Sequence, residues 1–553
     1  MPCPAHIKGQ DYLSGSPVLF VYNVDMNKNT FTQQNYKTYS NGMQLCLPLD
    51  LSISIDKDDP MWSFLEAVEG VNFSNYVKSI RSNNTHSHDR GMLLKTFLFA
   101  FMEGHRSLSE IAHLCKVDTR YLYLSNQEKP SFMAFQRMTQ ELTESIDDIF
   151  FDISHHIAQD LMLCDTDVQY IDGTKIEANA HKNSFVYKRR IINAEERLFS
   201  RISESILRLN VHHGYNYPIK QIYAAVEMGY ICQYLMETMV SNNIEIKYGI
   251  GNRKSEIQRE YDVFLGYYGK LMEYEYWLNV MGKRNSCSKV DLDATFMATK
   301  WDYYNQSGIT RACYNCQIAV SDGIIINSNV YQTPGDTMTW QDFIERYKER
   351  TGSYPRWPVA DAGYGSYDNY FFNIARGIEL VQKYSMYGKK EDKRFQKNIY
   401  NVLNWKENEE GYKICPCGRV FDQYGRDKYR NTLQNNLMIT QLYSEKEHCE
   451  GCEKVKECTK GSYRQIGKNT VMEEFQKEVD KNLSTEEGKE MKRQRGIQVE
   501  GAFGVIKQDF KFTRFSRKGM KNVKMEFLLV CLGYNLKKYH LFRQRQSKQT
   551  VKA

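Results

Sequence analysis

The sequence predicts an α/β fold, in which a mixed β-sheet is flanked by helices. Residues 166–177 alternate between apolar and polar side chains, as a strand does. The turn signal S-D-G at 321–323 separates two apolar runs, which is typical of a β-hairpin. Segments of helical and strand periodicity then alternate up to residue 381. With 553 residues the chain is too long for one hydrophobic core, so we expect roughly three or four domains.

The order of the segments predicts the kind of sheet. The first strand, 166–177, ends at Asp172 and a Gly-Thr turn, and a long helical stretch over about 188–283 follows it. The next predicted elements are strands over 317–320 and 324–330, a helix over 337–351, a strand over 357–360, a helix over about 367–375 and a strand over 378–381. This is the order of an RNase H-like sheet whose first crossover is interrupted. Its first and fourth strands are neighbours, so we expect Asp172 and Asp361 to meet.

The same reading divides the chain into six segments. They are an N-terminal all-helical domain (1–165), the first strand of the sheet domain (166–187), a helical insertion (188–285), the continued sheet domain (286–399), a Cys-rich insertion (400–468), and a final helix that carries Glu500 with a basic C-terminal segment (469–553).

Composition excludes two classes of protein. Hydrophobic residues make up 41% of the chain and charged residues 25%, which is typical of a folded protein rather than a disordered one. No apolar run approaches the roughly 20 residues of a membrane span. The first residues lack the basic and apolar regions of a signal peptide, so we expect a cytoplasmic protein with no membrane partner.

Positive charge is concentrated at the C-terminus. The whole chain carries a net charge of +7, but residues 501–553 contain thirteen Lys/Arg and two acids, a net of +11. Such a segment suits contact with a polyanion. A solvated basic tail has the same composition. This segment, however, directly follows Glu500, a carboxylate in a setting suited to binding Mg²⁺, which favours contact with nucleic acid.

Successive short helices are predicted near the N-terminus. Residues 91–103 and 107–114 have helical patterns, and a third helix opens at 130–131. Short helices joined by polar turns suit a helix-turn-helix-like DNA reader. A plain packing or dimerisation domain would show the same pattern, so both interpretations stay open.

Three carboxylates far apart in the sequence have settings suited to Mg²⁺. Asp172 and Asp361 are placed at strand ends, and Glu500 lies on a predicted helix over roughly 492–508. Magnesium prefers hard oxygen ligands, and two such ions about 4 Å apart can clamp the attacking and leaving oxygens of a phosphodiester. Lys507, two helical turns after Glu500, could hold a phosphate. The three residues predict a metal-dependent enzyme that cuts and joins DNA.

A rival pair of carboxylates, Asp291 and Asp293, could replace Asp172 as metal ligand. We prefer a role for this pair at a turn or the start of a strand, because Asp172 alone ends a plausible first strand.

Five of the 14 cysteines cluster, in C-P-C at 415–417 and C-x₂-C-x₅-C at 449–458. Structural zinc takes four thiolates, commonly from close pairs, and Cys449 with Cys452 makes a good half-site. The other half is either Cys415 with Cys417 or Cys415 with Cys458. The other nine are most simply buried thiols, since a chain without a secretion signal is not expected to form disulfides.

Several of these motifs resemble those of the bacterial insertion-sequence DDE transposases. YIDGTKIEANA (170–180), ADAGYGS (360–366) and QVEGAFGVIK (498–507) resemble the family's three carboxylate motifs. Supporting likenesses are DLDATFM (291–297), the strand over 312–320 and GYNLKKY (533–539), so that the resemblance runs from about residue 40 to 540.

The resemblance implies a function and its partners. It implies a transposase that binds the terminal inverted repeats of its own element, cleaves them with two Mg²⁺ or Mn²⁺ ions held by Asp172, Asp361 and Glu500, and transfers the 3′ ends to target DNA. It further implies an RNase H-like catalytic domain, a dimer or larger synaptic complex on double-stranded DNA, and association with a bacterial nucleoid. For zinc it favours Cys415, Cys449, Cys452 and Cys458.

The chain departs from the family at one place. Many relatives carry a Tyr and an Arg before the catalytic Glu, spaced Y-x₂-R-x₃-E, but here Arg493 and Gly496 occupy those positions. Arg495, one step away, could substitute as a phosphate clamp. The expected DNA contacts are Lys175, Arg493, Arg495, Lys507, Arg514, Arg517 and Lys518. A domesticated DNA-binding regulator and a nuclease without strand transfer remain as alternatives.

Overall fold

The computed structural model describes residues 51–76, 88–161, 166–249, 253–302, 307–389 and 392–550. Two compact units divide the chain, 1–55 and 56–553. In the first, the described residues form a 3₁₀ turn at Leu51–Ser54. The predicted N-terminal domain thus lies partly outside the described residues, at 1–50, 77–87 and 162–165. Among the helices described, none is both long and apolar enough to cross a membrane.

Helices make up most of the second unit. The α-helices are Pro60–Ala67, Arg90–Glu103, Leu108–Val117, Thr119–Leu124, Phe132–Asp160, Lys188–His213, Ala225–Ser241, Glu256–Met281, Trp340–Thr351, Tyr367–Ile374, Lys393–Gln396, Val455–Cys458, Thr470–Ser484, Glu486–Arg495, Gly501–Gly504 and Met520–Thr550. Two π-helical segments, Gly496–Glu500 and Val505–Asp509, continue the α-helices Glu486–Arg495 and Gly501–Gly504 into one helical run from 486 to 509. Short 3₁₀ turns lie at Phe73–Asn75, Asp336–Met338, Tyr387–Lys389 and Val402–Asn404.

Strands form one central sheet and three smaller ones. The strands are β1 Val168–Glu177, β2 Phe185–Tyr187, β3 Ser286–Ser288, β4 Thr295–Asp302, β5 Ser307–Ser321, β6 Ile324–Tyr331, β7 Trp357–Val359, β8 Lys406–Glu407, β9 Lys413–Ile414, β10 Gln423–Asn431, β11 Leu437–Ser444 and β12 Gln465–Lys468. The chain is therefore a mixed α/β fold.

The central sheet is built around β5. One edge of β5 pairs with β1, and the other pairs with β4 along its first half and with β6 along its second half, all antiparallel. β7 joins the far side of β1 in parallel. The hairpin predicted at S-D-G forms at this place: Asp322 and Gly323 both have positive φ, as a tight hairpin turn requires.

The C-terminal helix Met520–Thr550 joins the sheet to the N-terminal helices. Buried Asn535 accepts a hydrogen bond from the β6 amide of Ile325 at 2.8 Å and donates to Ser154 Oγ, on Phe132–Asp160, at 2.9 Å. A Cβ on Gly533 would lie 2.4 Å from the carbonyl oxygen of Phe101, so the helices touch where glycine permits it. Helix Met520–Thr550, which makes up much of the basic C-terminal segment, is therefore packed into the core of the protein.

The two segments predicted to be insertions each contain an apolar cluster. Helices Lys188–His213, Ala225–Ser241 and Glu256–Met281 pack around an apolar cluster that includes Ile202, Met228 and Phe264. The Cys-rich insertion holds β8 to β12 around Trp405, Phe421 and Ile466, with three of its cysteines packed against them.

Two predicted details of the sheet are wrong. β1 does not end at Asp172, because β5 pairs with it as far as Glu177 and the predicted Gly-Thr turn is extended strand. Residues 378–381 form no strand, although a single parallel bridge joins Ala360 to Gln382. Both details depend on pairing between strands that are distant in the sequence. The local alternation of apolar and polar residues does not reveal such pairing.

Candidate active site

The register of the parallel pair β1–β7 brings two carboxylates together. Tyr170 lies opposite Val359, and this is the last pair of the parallel ladder. Asp172 and Asp361 each follow that pair by two residues, so they project on the same face of the sheet at the same level. Because β1 and β7 are neighbouring strands, Asp172 and Asp361 meet although they are far apart in the sequence.

A guanidinium lies between the two carboxylates. Arg495 Nη2 is 3.0 Å from Asp172 Oδ1 and 3.7 Å from Asp361 Oδ2. Its Nε donates to the carbonyl oxygen of Ile171 at 3.4 Å, and only 13% of its side chain is exposed. Arg495 therefore serves as the counter-cation of the pair, where the sequence predicted a phosphate contact.

Asp336 is a third carboxylate at this place, which the sequence analysis missed. Its Oδ1 accepts hydrogen bonds from Asn315 Nδ2 at 2.8 Å and Gln317 Nε2 at 2.9 Å, both on β5. The buried hydroxyl of Tyr364 donates in turn to Gln317 Oε1. The available signal was an Asp after a Pro-Gly turn at the end of a strand, but most such residues belong only to the turn.

Glycines let the chain pack tightly around Asp336. A Cβ on Gly173 would lie 2.9 Å from Asp336 Oδ1 and 2.1 Å from Gln317 Nε2. A Cβ on Gly363 would lie 3.0 Å from Asp361 Oδ1 and 3.6 Å from Asp336 Oδ2. Gly173 is thus needed for the approach of these side chains, and Gly363 lies in the turn after Asp361 where space is also limited.

The electrostatics of the site follow from this crowding. Burial raises the pKa of Asp172, and the neighbouring charges of Asp361 and Asp336 add to the effect, while Arg495 opposes it. Burial, followed by the same three carboxylates, raises the pKa of Tyr364 well above its ordinary value. The Tyr364 hydroxyl therefore stays neutral and remains a hydrogen-bond donor.

Glu500 lies close by in the fold but apart from the pair. It ends the π-helical segment Gly496–Glu500, which packs against β1 and β5. Its side chain is exposed, and among the described residues it has no hydrogen bond or ion pair. Because a π-helix bonds residue i to i+5, Glu500 follows Arg495 by about one turn on the same side of the helix.

Three of the expected DNA contacts bind within the fold. Lys507 donates to Thr174 Oγ1 on β1, and Lys175 donates to the carbonyl oxygen of Ala298 at 3.1 Å. Arg514 donates to the carbonyl oxygen of Ala180 at 2.8 Å. In this arrangement these three cations hold the second half of β1 and the residues just after it in place.

The other expected contacts differ in exposure. Arg493 is exposed and pairs with Glu490 at 2.6 Å. Arg517 is half-buried, and burial lowers the pKa of its guanidinium, while Lys518 is exposed. With Arg495 engaged by the aspartates, the expected contacts that are exposed are Arg493, Arg514 and Lys518, of which Arg514 also donates to backbone oxygens of the fold.

The rival pair has a structural role. Buried Asp291 accepts hydrogen bonds from the Tyr314 hydroxyl at 2.9 Å and from the amide of Gly519 at 3.1 Å. Asp293 accepts from the amide of Met520 at 2.8 Å. The two carboxylates thus bind the free amides at the start of helix Met520–Thr550.

All five clustered cysteines line one cavity of about 20 Å³, which has room for a single atom-sized occupant. Cys417 Sγ and Cys452 Sγ are 3.8 Å apart. That distance is the edge of a tetrahedron whose bonds are about 2.3 Å long, the Zn–S length. Burial and the neighbouring thiols raise the pKa of Cys417 and of Cys458.

No preassembled metal site is present in the described part of the chain. Within those residues, no three His, Cys, Asp or Glu side chains stand close enough together to hold an ion. The structure brings Asp172 and Asp361 together with Asp336 beside them, and it groups the cysteines, but each set would need to contract around a metal.

Comparison with known proteins gives a partial match to a family. A family model described as "Transposase DDE domain" matches residues 414–540, which include the cysteine cluster and Glu500 but neither Asp172 nor Asp361. Searches of curated proteins and of solved structures each returned no match.

Proposed function

We propose that this protein is a DDE-type DNA transposase, which cuts the inverted-repeat ends of its own insertion sequence and joins the 3′ ends to target DNA. The observation that carries the proposal is the adjacency of Asp172 and Asp361 two residues beyond a shared strand pair. The family match supports it from the other half of the chain, because residues 414–540 contain Glu500.

The strand order supports an RNase H-like catalytic domain. β6, β5 and β1 are successive antiparallel neighbours, β7 is parallel to β1, and Ala360 bridges Gln382 in parallel beyond it. Helices Lys188–His213, Ala225–Ser241 and Glu256–Met281 lie between the first and second strands of that series, which is consistent with a helical insertion over 188–285.

The donor set of the site fits divalent magnesium or manganese. Asp172, Asp361 and Glu500 would hold two ions, all through hard oxygens. A cation is already accommodated between two of these carboxylates, namely the guanidinium of Arg495. When bound, the ions supply a Lewis acid and an activated water for in-line displacement at phosphorus.

The chain's own residues position that chemistry. Asp336 adds negative charge beside Asp172, and the chain Asn315–Gln317–Tyr364 fixes its orientation. Arg495 balances the aspartates and has hydrogen-bonding capacity for a phosphate once it is released from them. Glu500, exposed one turn further, is free to approach the aspartates.

DNA is the proposed partner, as duplex element ends and duplex target, with the protein acting as a dimer or larger complex in the bacterial cytoplasm. One observation favours a second candidate, a DNA-binding regulator without transposition: Glu500 stands outside the aspartate pair. A nuclease without strand transfer is the third.

An in-vitro assay with Mg²⁺ and DNA from the edges of the coding region separates these functions. A transposase cleaves and joins, a nuclease only cleaves, and a regulator does neither. Asp361→Asn is expected to abolish both steps while DNA binding persists. Exposed Asp509, on the same helical run as Glu500, supplies the control Asp509→Asn, which is expected to keep full activity. Retained cleavage in Asp361→Asn would refute the proposed site.

We further propose structural zinc in the cysteine cavity, held by Cys415, Cys449, Cys452 and a fourth thiolate. The resemblance favours Cys458 as the fourth ligand, whereas the separation of Cys417 and Cys452 favours Cys417. Metal analysis of purified Cys417→Ser and Cys458→Ser decides between them, because only loss of a true ligand lowers zinc content. Cys232→Ala, in the helical insertion, is the control. Zinc-free wild-type protein would refute the site.

A further inference from the structure

A row of three cations lies on the exposed strand β10. Arg426, Lys428 and Arg430 alternate along it and are all exposed. Since side chains of a strand alternate between its faces, the three project from one face and cover about 14 Å at about 3.4 Å per residue. We call these three residues the basic ladder.

Within the part of the chain that the structure describes, the face of the basic ladder carries no opposing charge. The partners of its members across the hairpin are Leu442, Thr440 and Met438, all neutral. Asp427 belongs to the opposite face, where its Oδ2 accepts a hydrogen bond from the hydroxyl of Tyr429 at 3.3 Å. Among the described residues, no carboxylate forms an ion pair with Arg426, Lys428 or Arg430. The field of this face is therefore positive along its whole length.

The hairpin β10–β11 is fixed at its tip. Thr432 Oγ1 and Asn436 Nδ2 donate to Asp368 Oδ1 at 2.6 and 2.8 Å. Asp368 lies on helix Tyr367–Ile374, which begins six residues after Asp361. The tip is thus tied to the element that directly follows one of the site's aspartates.

The root of the hairpin is fixed as well. Phe421, just before β10, and Ile466 on β12 belong to the apolar cluster of the Cys-rich insertion. A hairpin held at both ends keeps its side chains at a constant distance from the aspartate pair.

We infer that the basic ladder is a docking surface for the phosphate backbone of double-stranded DNA, and that it sets the position of the duplex relative to Asp172 and Asp361. This rests on the proposed function. Over about 14 Å one strand of a duplex presents about four phosphates, so three cations find partners at once. A two-stranded β-ribbon also fits the major groove, which is about 12 Å wide.

Edge strands often carry a charge that prevents pairing with other chains. β10 is an edge strand of its sheet. A single lysine would be enough to prevent such pairing. Three cations on one face, with no acid among them, are more than this protection requires, and they suit binding to a polyanion.

The test is the salt dependence of binding to a fluorescently labelled, mixed-sequence DNA duplex. The triple variant Arg426→Gln, Lys428→Gln, Arg430→Gln is expected to bind at least about tenfold more weakly, and its slope of log Kd against log salt is expected to fall by about three. Arg426→Lys with Arg430→Lys keeps the charges and is expected to bind nearly as wild type.

The matched control removes three exposed lysines elsewhere. Lys270, Lys481 and Lys489 lie on helices and pair with acids three residues away. Their triple Gln variant has the same net charge as the ladder variant and is expected to keep most of the salt slope. Equal losses in both triples would overturn the ladder as a specific surface. The inference would also be overturned if the ladder variant aggregated but kept its affinity for DNA per monomer. The same holds if the variant lost binding to phosphatidylserine vesicles and not to duplex DNA.

Cleavage is measured separately to keep this inference distinct from the proposed function. If wild type binds duplex through the ladder but never cleaves with Mg²⁺, the proposed function fails and the docking surface stands. If wild type cleaves and the ladder triple keeps its affinity and slope, the docking surface alone fails.

Discussion

The guanidinium of Arg495 lies 3.0 Å from the carboxylate of Asp172 and 3.7 Å from that of Asp361. Two carboxylates side by side repel each other, and burial adds to the cost of their charges. A single arginine offsets part of both effects. A divalent ion and Arg495 are therefore expected to compete for the same negative charge.

Loss of Arg495 should make stability depend on metal. We expect Arg495→Ala to lower the melting temperature in EDTA by the equivalent of about 1–3 kcal/mol, because two carboxylates lose their shared counter-ion. Added Mn²⁺ should restore more of the melting temperature in the variant than it adds to wild type. Arg493→Ala is the control, since Arg493 is exposed and pairs only with Glu490. An equal Mn²⁺ response in wild type and Arg495→Ala would contradict the competition.

Asp336 should contribute charge rather than a hydrogen bond alone. Asp336→Asn keeps an Oδ1 that accepts from Asn315 and Gln317, so the fold should keep its stability in EDTA. Its Mn²⁺ affinity, measured by titration calorimetry, should fall about tenfold, as for a group that supports metal ligands. Asp342→Asn, where Asp342 accepts from the hydroxyl of Tyr331, should bind Mn²⁺ as wild type does. Unchanged affinity in Asp336→Asn would leave Asp336 a purely structural acceptor.

Asp147 should stabilise the junction of three helices above mildly acidic pH. It pairs with Arg346 at 2.5 Å and Lys524 at 2.7 Å. Burial tends to raise the pKa of Asp147, but the two cations outweigh it and the pKa is lowered. A lowered pKa means that the contribution is complete above the unfolded value of about 3.9 and is lost as pH falls through the folded value.

We therefore expect Asp147→Asn to cost about 2–4 kcal/mol at neutral pH, because a largely buried ion pair is broken. In urea unfolding the gap between variant and wild type should close as the pH drops below about 4. The neighbouring pair Asp148–Arg350 is more exposed, so Asp148→Asn should cost under about 1 kcal/mol. A gap that does not change with pH would show that Asp147 acts through packing and not through its charge.

Gly533 should tolerate no side chain. Its Cβ would meet backbone atoms of Phe101 at 2.4 and 2.7 Å, so Gly533→Ala is expected to destabilise by about 3 kcal/mol through separation of two helices. Gly269 lies within helix Glu256–Met281 with open space around it, and Gly269→Ala should stabilise by about 0.5–1 kcal/mol. Thermal unfolding of both variants checks this, and a stabilised Gly533→Ala would disprove the close helix contact.

Local periodicity predicted the central elements well. Predicted helices over 337–351 and 367–375 correspond to Trp340–Thr351 and Tyr367–Ile374, and the hairpin at S-D-G forms. These patterns report which side chains are buried, and burial along one element is a local property of sequence. The continuation of β1 past Asp172 could not be read in this way, because it depends on a partner strand more than a hundred residues away.

What the sequence by itself determined is strands β1, β5, β6 and β7, their order along the chain, and the two aspartates that follow neighbouring strands. The tertiary structure alone decided that Arg495 binds that pair, that Asp336 joins it, and that Lys507 and Arg514 hold β1. The sequence around a charged residue does not show which opposite charge it will pair with. Which opposite charge it meets is fixed only when packing brings distant segments within a few ångströms of each other.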